Sequence, residues 1–129
     1  MLKFFSLICA IITFFMSILH IFLLIGMPIG EYVLGGQNKV IPLNKRWINL
    51  VFAFVFLFLG LFYLGKSISI PFQFPEIPSK IIMIVYSLFL AYAIIGNIFF
   101  TKSKKEKVMM IPASIMGFAC SFATLLLSW

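Results

Sequence analysis

The run Phe4–Ile25, FFSLICAIITFFMSILHIFLLI, decides the fold. It is 22 residues long and contains no Asp, Glu, Lys or Arg, which matches the roughly 20 apolar residues that carry a helix across a bilayer. Lys3 precedes it, as a basic residue precedes a signal peptide. The run is longer than a signal-peptide core, however, and no A-x-A-like cleavage site follows, so it reads as a retained span. Three further runs repeat the pattern: Ile48–Leu64, opened by Trp47 and closed near Tyr63, then Ile81–Phe100 and Val108–Trp129. Aromatic residues at the edges of a run suit the headgroup level. Pro112 falls near the first turn of the fourth run, where a proline is tolerated.

Composition agrees with four spans. Of 129 residues, 64% are hydrophobic and 10% charged, with a mean hydropathy of +1.19. A soluble domain is about half apolar and about a quarter charged, and a globule of this size could not bury the excess. A soluble enzyme, a disordered chain and a collagen-like fibre are all excluded. The expectation is one membrane domain over residues 1–129, all-α, an antiparallel four-helix bundle with an ordered first loop. Lys, Ile and Phe usage suits a low-GC bacterial source.

Charge sets orientation. The net charge is +7, from 10 Lys and Arg against 3 acidic residues. The basic residues lie between apolar runs, so they point to anionic lipid headgroups and not to nucleic acid. Loop 1 (26–46) has Lys39, Lys45 and Arg46, and loop 3 (101–107) has Lys102, Lys104, Lys105 and Lys107. The other side has Lys3, Lys66 and Lys80. The positive-inside rule places loops 1 and 3 in the cytoplasm and both termini outside. Loop 2 (65–80) carries Pro71, Pro75 and Pro78, which predict an extended, turn-rich crossing.

Within the spans the polar and small residues are periodic. Span 1 shows Ser6, Ala10, Thr13, Ser17 and His20; span 4 shows Ser114, Gly117, Ser121, Thr124 and Ser128. Span 2 offers Asn49, Ala53, Phe56, Gly60 and Tyr63, and span 3 offers Tyr86, Leu90, Ala93 and Asn97. Steps of three and four make a heptad seam. Such seams pack helices closely, and they also line polar clefts; spacing alone does not choose between the two.

The candidate binding residues lie in and around loop 1. His20 is the sole histidine and an ionisable group inside a span, which marks a site candidate in a membrane. Loop 1 holds Gly26, Pro28, Gly30, Glu31, Tyr32, Gly35, Gly36 and Gln37, followed by Arg46. At 21 residues it is long for a structureless connection. Folded back against the bundle, it would bring Glu31 toward His20, Arg46 or a ligand. Asn97 completes the set from span 3. No cofactor or metal is expected: Cys9 and Cys120 sit in separate apolar runs and one histidine adds too few ligands. No G-x-S-x-G elbow and no GxxxxGK[ST] phosphate loop occurs.

Two stretches resemble a family of short bacterial four-span membrane proteins. Gly26 to Pro42 follows G-x-P-x-G-E-Y-x-x-G-G-Q-x-x-V-x-P, and Asn97 to Pro112 follows N-x-x-x-x-K-S-x-x-E-K-x-x-x-x-P. Leu34, Asn38 and Lys107 stand where relatives often carry an aromatic residue, a histidine and an arginine. The resemblance implies four spans and an important first loop, and it carries no activity. With both motifs on one face, loop 1 is expected to pack on the start of span 4, with Glu31 and Glu106 pairing among Lys45, Arg46 and Lys107.

Three functions compete. The first is a membrane module that holds a lipid-like ligand or a partner protein. The second is a small transporter acting as a homodimer, which needs an intramembrane acid; none of Glu31, Glu76 and Glu106 falls within the four runs. The third is a lipid-acting enzyme using His20 and Glu31 as an acid–base pair.

Overall fold

A computed structural model describes residues 1–32, 39–68, 74–101 and 103–128. Four long helices make up most of the described chain: α1 (Leu2–Leu24), α2 (Arg46–Ser67), α3 (Glu76–Ile95) and α4 (Lys104–Ser128). No strand occurs among the described residues. With the short turns adjoining α2 and α3, all four are long and apolar enough to cross a membrane. A 25-residue helix extends about 37 Å at about 1.5 Å per residue, enough for a hydrocarbon layer of roughly 30 Å.

The helix ends explain where each span starts and stops. Gly26 has φ +95°, its N–H bonds to the Leu23 carbonyl (3.1 Å), and the Met27 N–H bonds to the Phe22 carbonyl (3.1 Å). This paired closure uses the left-handed residue that glycine supplies, and Pro28 follows it. α3 begins earlier than the proline content of loop 2 predicts. Pro75 precedes the helix and Pro78 sits in its first turn, where a missing N–H breaks no helical bond. α4 also begins early. Ser103 Oγ accepts the Glu106 N–H at 3.3 Å, one half of an S-x-x-E capping box. Pro112 therefore lies in the interior of α4 and not in its first turn, leaving the Val108 carbonyl without its usual helical donor.

α3 ends in a π-helical turn, Gly96–Phe100, closed by the Thr101 N–H on the Gly96 carbonyl at 3.0 Å. Such widened turns are rare and recur at functional sites.

The seams read from the sequence face inward. Ser6, Ala10, Thr13, Ser17 and His20 are buried on α1, and Asn49, Ala53, Phe56, Gly60 and Tyr63 on α2. Tyr86 and Leu90 are buried on α3, and Ser114, Gly117, Ser121 and Thr124 on α4. Their hydroxyls divide into two groups. Ser6, Thr13 and Thr124 bond back to carbonyls of their own helices at 2.7–3.0 Å, which satisfies them without a partner helix. Ser17 Oγ instead donates to the Ala53 carbonyl at 2.8 Å. Ser121 Oγ meets both Tyr63 Oη (2.7 Å) and Ser87 Oγ (2.9 Å), linking three helices.

Packing is uneven around the bundle. α1 packs most extensively on α2, then α3 on α4 and α1 on α4. α2 and α3 meet mainly through aromatic rings, with centroids at 5.8 Å for Tyr63–Tyr86 and 6.4 Å for Phe56–Phe89. The resulting space between α2 and α3, floored by α1 and α4, positions the site.

Candidate functional site

A cavity of about 450 Å³ occupies that space at the end of the bundle where loops 1 and 3 lie. Every helix contributes. α1 supplies Met16 and His20, α2 supplies Phe52 and Phe56, α3 and its π turn supply Tyr86, Phe89, Tyr92, Asn97 and Phe100, and Glu106, Met110 and Ser114 come from α4. Ile12, Leu90, Ala93, Gly96, Thr101 and Ala113 complete the lining. The walls are predominantly apolar and aromatic, with His20, Asn97, Thr101, Glu106 and Ser114 as the polar groups besides the tyrosines. A mostly apolar cavity with a few convergent polar groups is the usual form of a small-molecule site. Tyr92 is 75% and Phe100 78% exposed, so the wall continues onto the outer flank of the bundle.

His20 is fixed from three directions. Its Nδ1 lies 2.9 Å from Asn49 Oδ1, and its ring stacks on Phe52 and Phe56 at centroid distances of 5.1 and 5.7 Å. Asn49 is fully buried, and among the described residues its Nδ2 has no hydrogen-bond partner.

Glu106 is the acidic residue of the cavity. It is only 6% exposed, and its Oε2 accepts the Thr101 hydroxyl at 2.5 Å. Span limits drawn from hydropathy put this acid outside the bundle. The capping turn at Ser103 places it inside, on the first turn of α4, which corrects that reading. The S-x-x-E spacing was the sequence signal for it.

Loop 1 packs on the start of α4, as the two motifs predict, but with different partners. Glu31 pairs with Lys105 at 2.6 Å, and its backbone carbonyl accepts Ser103 Oγ at 2.6 Å. The Lys105 ammonium, by hydrogen bond and charge, holds the Glu31 carboxyl below the usual carboxylate range. Arg46 forms no pair with either acid: its Nε donates to the Ile41 carbonyl at 2.9 Å, and its guanidinium lies against Gly26. Gly30 is buried, with its N–H on the Lys39 carbonyl at 2.8 Å. Tyr32 packs beside Ile41, Leu19, Leu23 and Met110 in a small second core.

Of the residues singled out in the sequence, His20 and Asn97 line the cavity. Asn97 Nδ2 reaches Ser114 Oγ at a long 3.4 Å. Gly26, Pro28, Gly30, Glu31, Tyr32 and Arg46 belong to the fold of loop 1 and its anchorage. Gly35, Gly36 and Gln37 lie outside the described residues. His20 and Glu31 are not brought together as an acid–base pair, because Asn49 holds the first and Lys105 the second. Among the described residues no three His, Cys, Asp or Glu side chains converge as a metal site.

Comparison with known proteins finds no matching family model, no similar curated protein and no similar solved structure.

Proposed function

We propose that this multi-pass membrane protein holds a small, predominantly apolar molecule in the cavity between α2 and α3. The observation that carries the reading is the cavity itself, where His20, Asn97, Thr101, Glu106 and Ser114 converge within aromatic walls. Loop 1 supports it structurally through Ser103 and Lys105, which adjoin Glu106 on the same turn. Native mass spectrometry from mild detergent tests the proposal. The wild-type chain should carry one discrete extra mass, and Ala113→Trp, which places an indole in the cavity wall, should lose it. A bare wild-type chain, or a mass retained by Ala113→Trp, refutes the reading; a co-purifying polypeptide would point to a partner protein.

The distribution of Lys and Arg supports an orientation with loops 26–46 and 101–107 in the cytoplasm and both termini outside. A C-terminal reporter active only in the cytoplasm should stay silent. A second reading, a small dimeric transporter, gains from Glu106, which supplies the buried acid that proton coupling requires. Proton-driven uptake into proteoliposomes that is lost in Glu106→Gln would favour it.

A further inference from the structure

Three features of the cavity bear on what it would accept. Glu106 is buried, and among the described residues the hydrogen-bond partner of its carboxylate is the hydroxyl of Thr101, not a cation. A carboxylate has about four acceptor positions, so one hydroxyl leaves most of them open. Of the lysines beside it in sequence, Lys104 and Lys105 are exposed, Lys105 is engaged by Glu31, Lys107 is half-buried and does not line the cavity, and Lys102 lies outside the described residues. The chain has 10 Lys and Arg, yet among the described residues none lines the cavity. The walls meanwhile present the rings of Phe52, Phe56, Tyr86, Phe89, Tyr92 and Phe100. Aromatic faces attract cations, most strongly where water is excluded. A buried carboxylate also requires a countercharge.

Building on the proposed ligand site, we infer that the cavity selects an organic monocation with an apolar body, its charge set against Glu106 and its body against the aromatic walls. A strongly basic protein thus carries a locally acidic, aromatic pocket. Neither an anionic ligand nor a neutral hydrocarbon would offset the Glu106 charge.

The test uses the full chain in detergent micelles and two ions of nearly the same shape and opposite sign, tetraphenylphosphonium and tetraphenylborate, each titrated calorimetrically against a micelle blank. The phosphonium should bind one per chain and roughly tenfold or more tighter than the borate. Glu106→Gln should weaken phosphonium binding by roughly ten- to a hundredfold, the loss expected when one partner of a buried charge pair is truncated. Phe100→Leu, at the exposed rim where folding is not at stake, should weaken it by roughly threefold and leave the borate unchanged. Equal binding of the two ions, or Glu106→Gln and Phe100→Leu variants that keep their preference for phosphonium, would overturn the charge assignment while leaving the cavity reading intact. If neither ion binds, or if Ala113→Trp binds them as well as wild type, the cavity reading itself fails.

Discussion

Gly60→Ala probes the most extensively packed helix pair, α1 and α2. A β-carbon built on Gly60 would stand 2.6 Å from Phe14 Cε1, 2.7 Å from Cδ1 and 3.0 Å from Cζ. Carbon atoms rest about 3.5 Å apart or more, so the ring must retreat by about 1 Å. Phe14 is half-buried against the main core cluster. It can yield only by leaving its rotamer, at about 0.5–1.5 kcal/mol, or by pushing α1 from α2. Overpacking of this kind costs about 1–3 kcal/mol. Alanine recovers up to about 1 kcal/mol of helix propensity; a contact as short as 2.6 Å belongs to the upper half of the overpacking range, which leaves a net loss of about 1–2 kcal/mol. Unfolding in mixed micelles by added sodium dodecyl sulfate, followed by tryptophan fluorescence, should register this as an earlier midpoint. Phe14→Ala removes the obstructing ring, so in the double variant the Gly60→Ala penalty should vanish and a favourable coupling of about 1 kcal/mol should emerge. A Gly60→Ala variant as stable as wild type, with Phe14 in place, would refute the argument.

Three other perturbations have unequal outcomes by design. Ser121→Ala strands the buried hydroxyls of Tyr63 and Ser87 and should cost about 1–2 kcal/mol, whereas Tyr63→Phe leaves the Ser87–Ser121 bond intact and should cost less than about 1 kcal/mol in the same unfolding assay. Asn49→Leu strands His20 Nδ1 but also removes a buried amide nitrogen that has no partner among the described residues, so the two effects partly offset and it should cost about 1 kcal/mol. His20→Phe leaves the whole Asn49 amide unpaired and should be the more destabilising of the two. Glu31 titrates below its unfolded value because of Lys105, so its contribution to docking loop 1 is complete above the ordinary carboxylate range and disappears as pH falls through the depressed native value. Spin labels at Met27 and Val108, with Cys9 and Cys120 replaced by Ala, should report a narrow distance distribution at pH 7 that broadens only below about pH 4. Glu31→Gln should be broad throughout.

Hydropathy was sufficient to locate four helices, because in lipid the backbone must satisfy its own hydrogen bonds and long apolar runs have one common solution. The buried faces were legible for a related reason. Against a background of Phe, Leu and Ile, a residue such as Thr13, Gly117 or Ser121 stands out at heptad spacing, and the packed helices bury those positions. The ends were harder. Hydropathy marks where apolar residues stop, but capping decides where a helix stops, so α4 extends back through KKEK to Ser103 and α3 through Pro78 to Glu76. That difference moved Glu106 from a supposed surface hairpin into a cavity wall. The π turn at Gly96–Phe100 left no periodic trace, since it interrupts the period itself. The pairing of Glu31 with Lys105 and not with Lys45 or Arg46 depends on how loop 1 lies across α4, which charge spacing does not encode.

The three-quarters exposure of Tyr92 and Phe100 at the rim has a thermodynamic consequence. Under the proposed function, a site that opens on the flank of a bundle would draw its occupant from the membrane, where an apolar solute is already enriched. Each added methylene raises that enrichment about fourfold, at about 0.8 kcal/mol. Occupancy would therefore track the mole fraction of solute in the lipid, and half-saturation expressed as an aqueous concentration would shift with the ratio of lipid to water. Two laboratories working at different lipid loads would report different affinities for one unchanged site, and plotting both sets against mole fraction would collapse them onto a single curve.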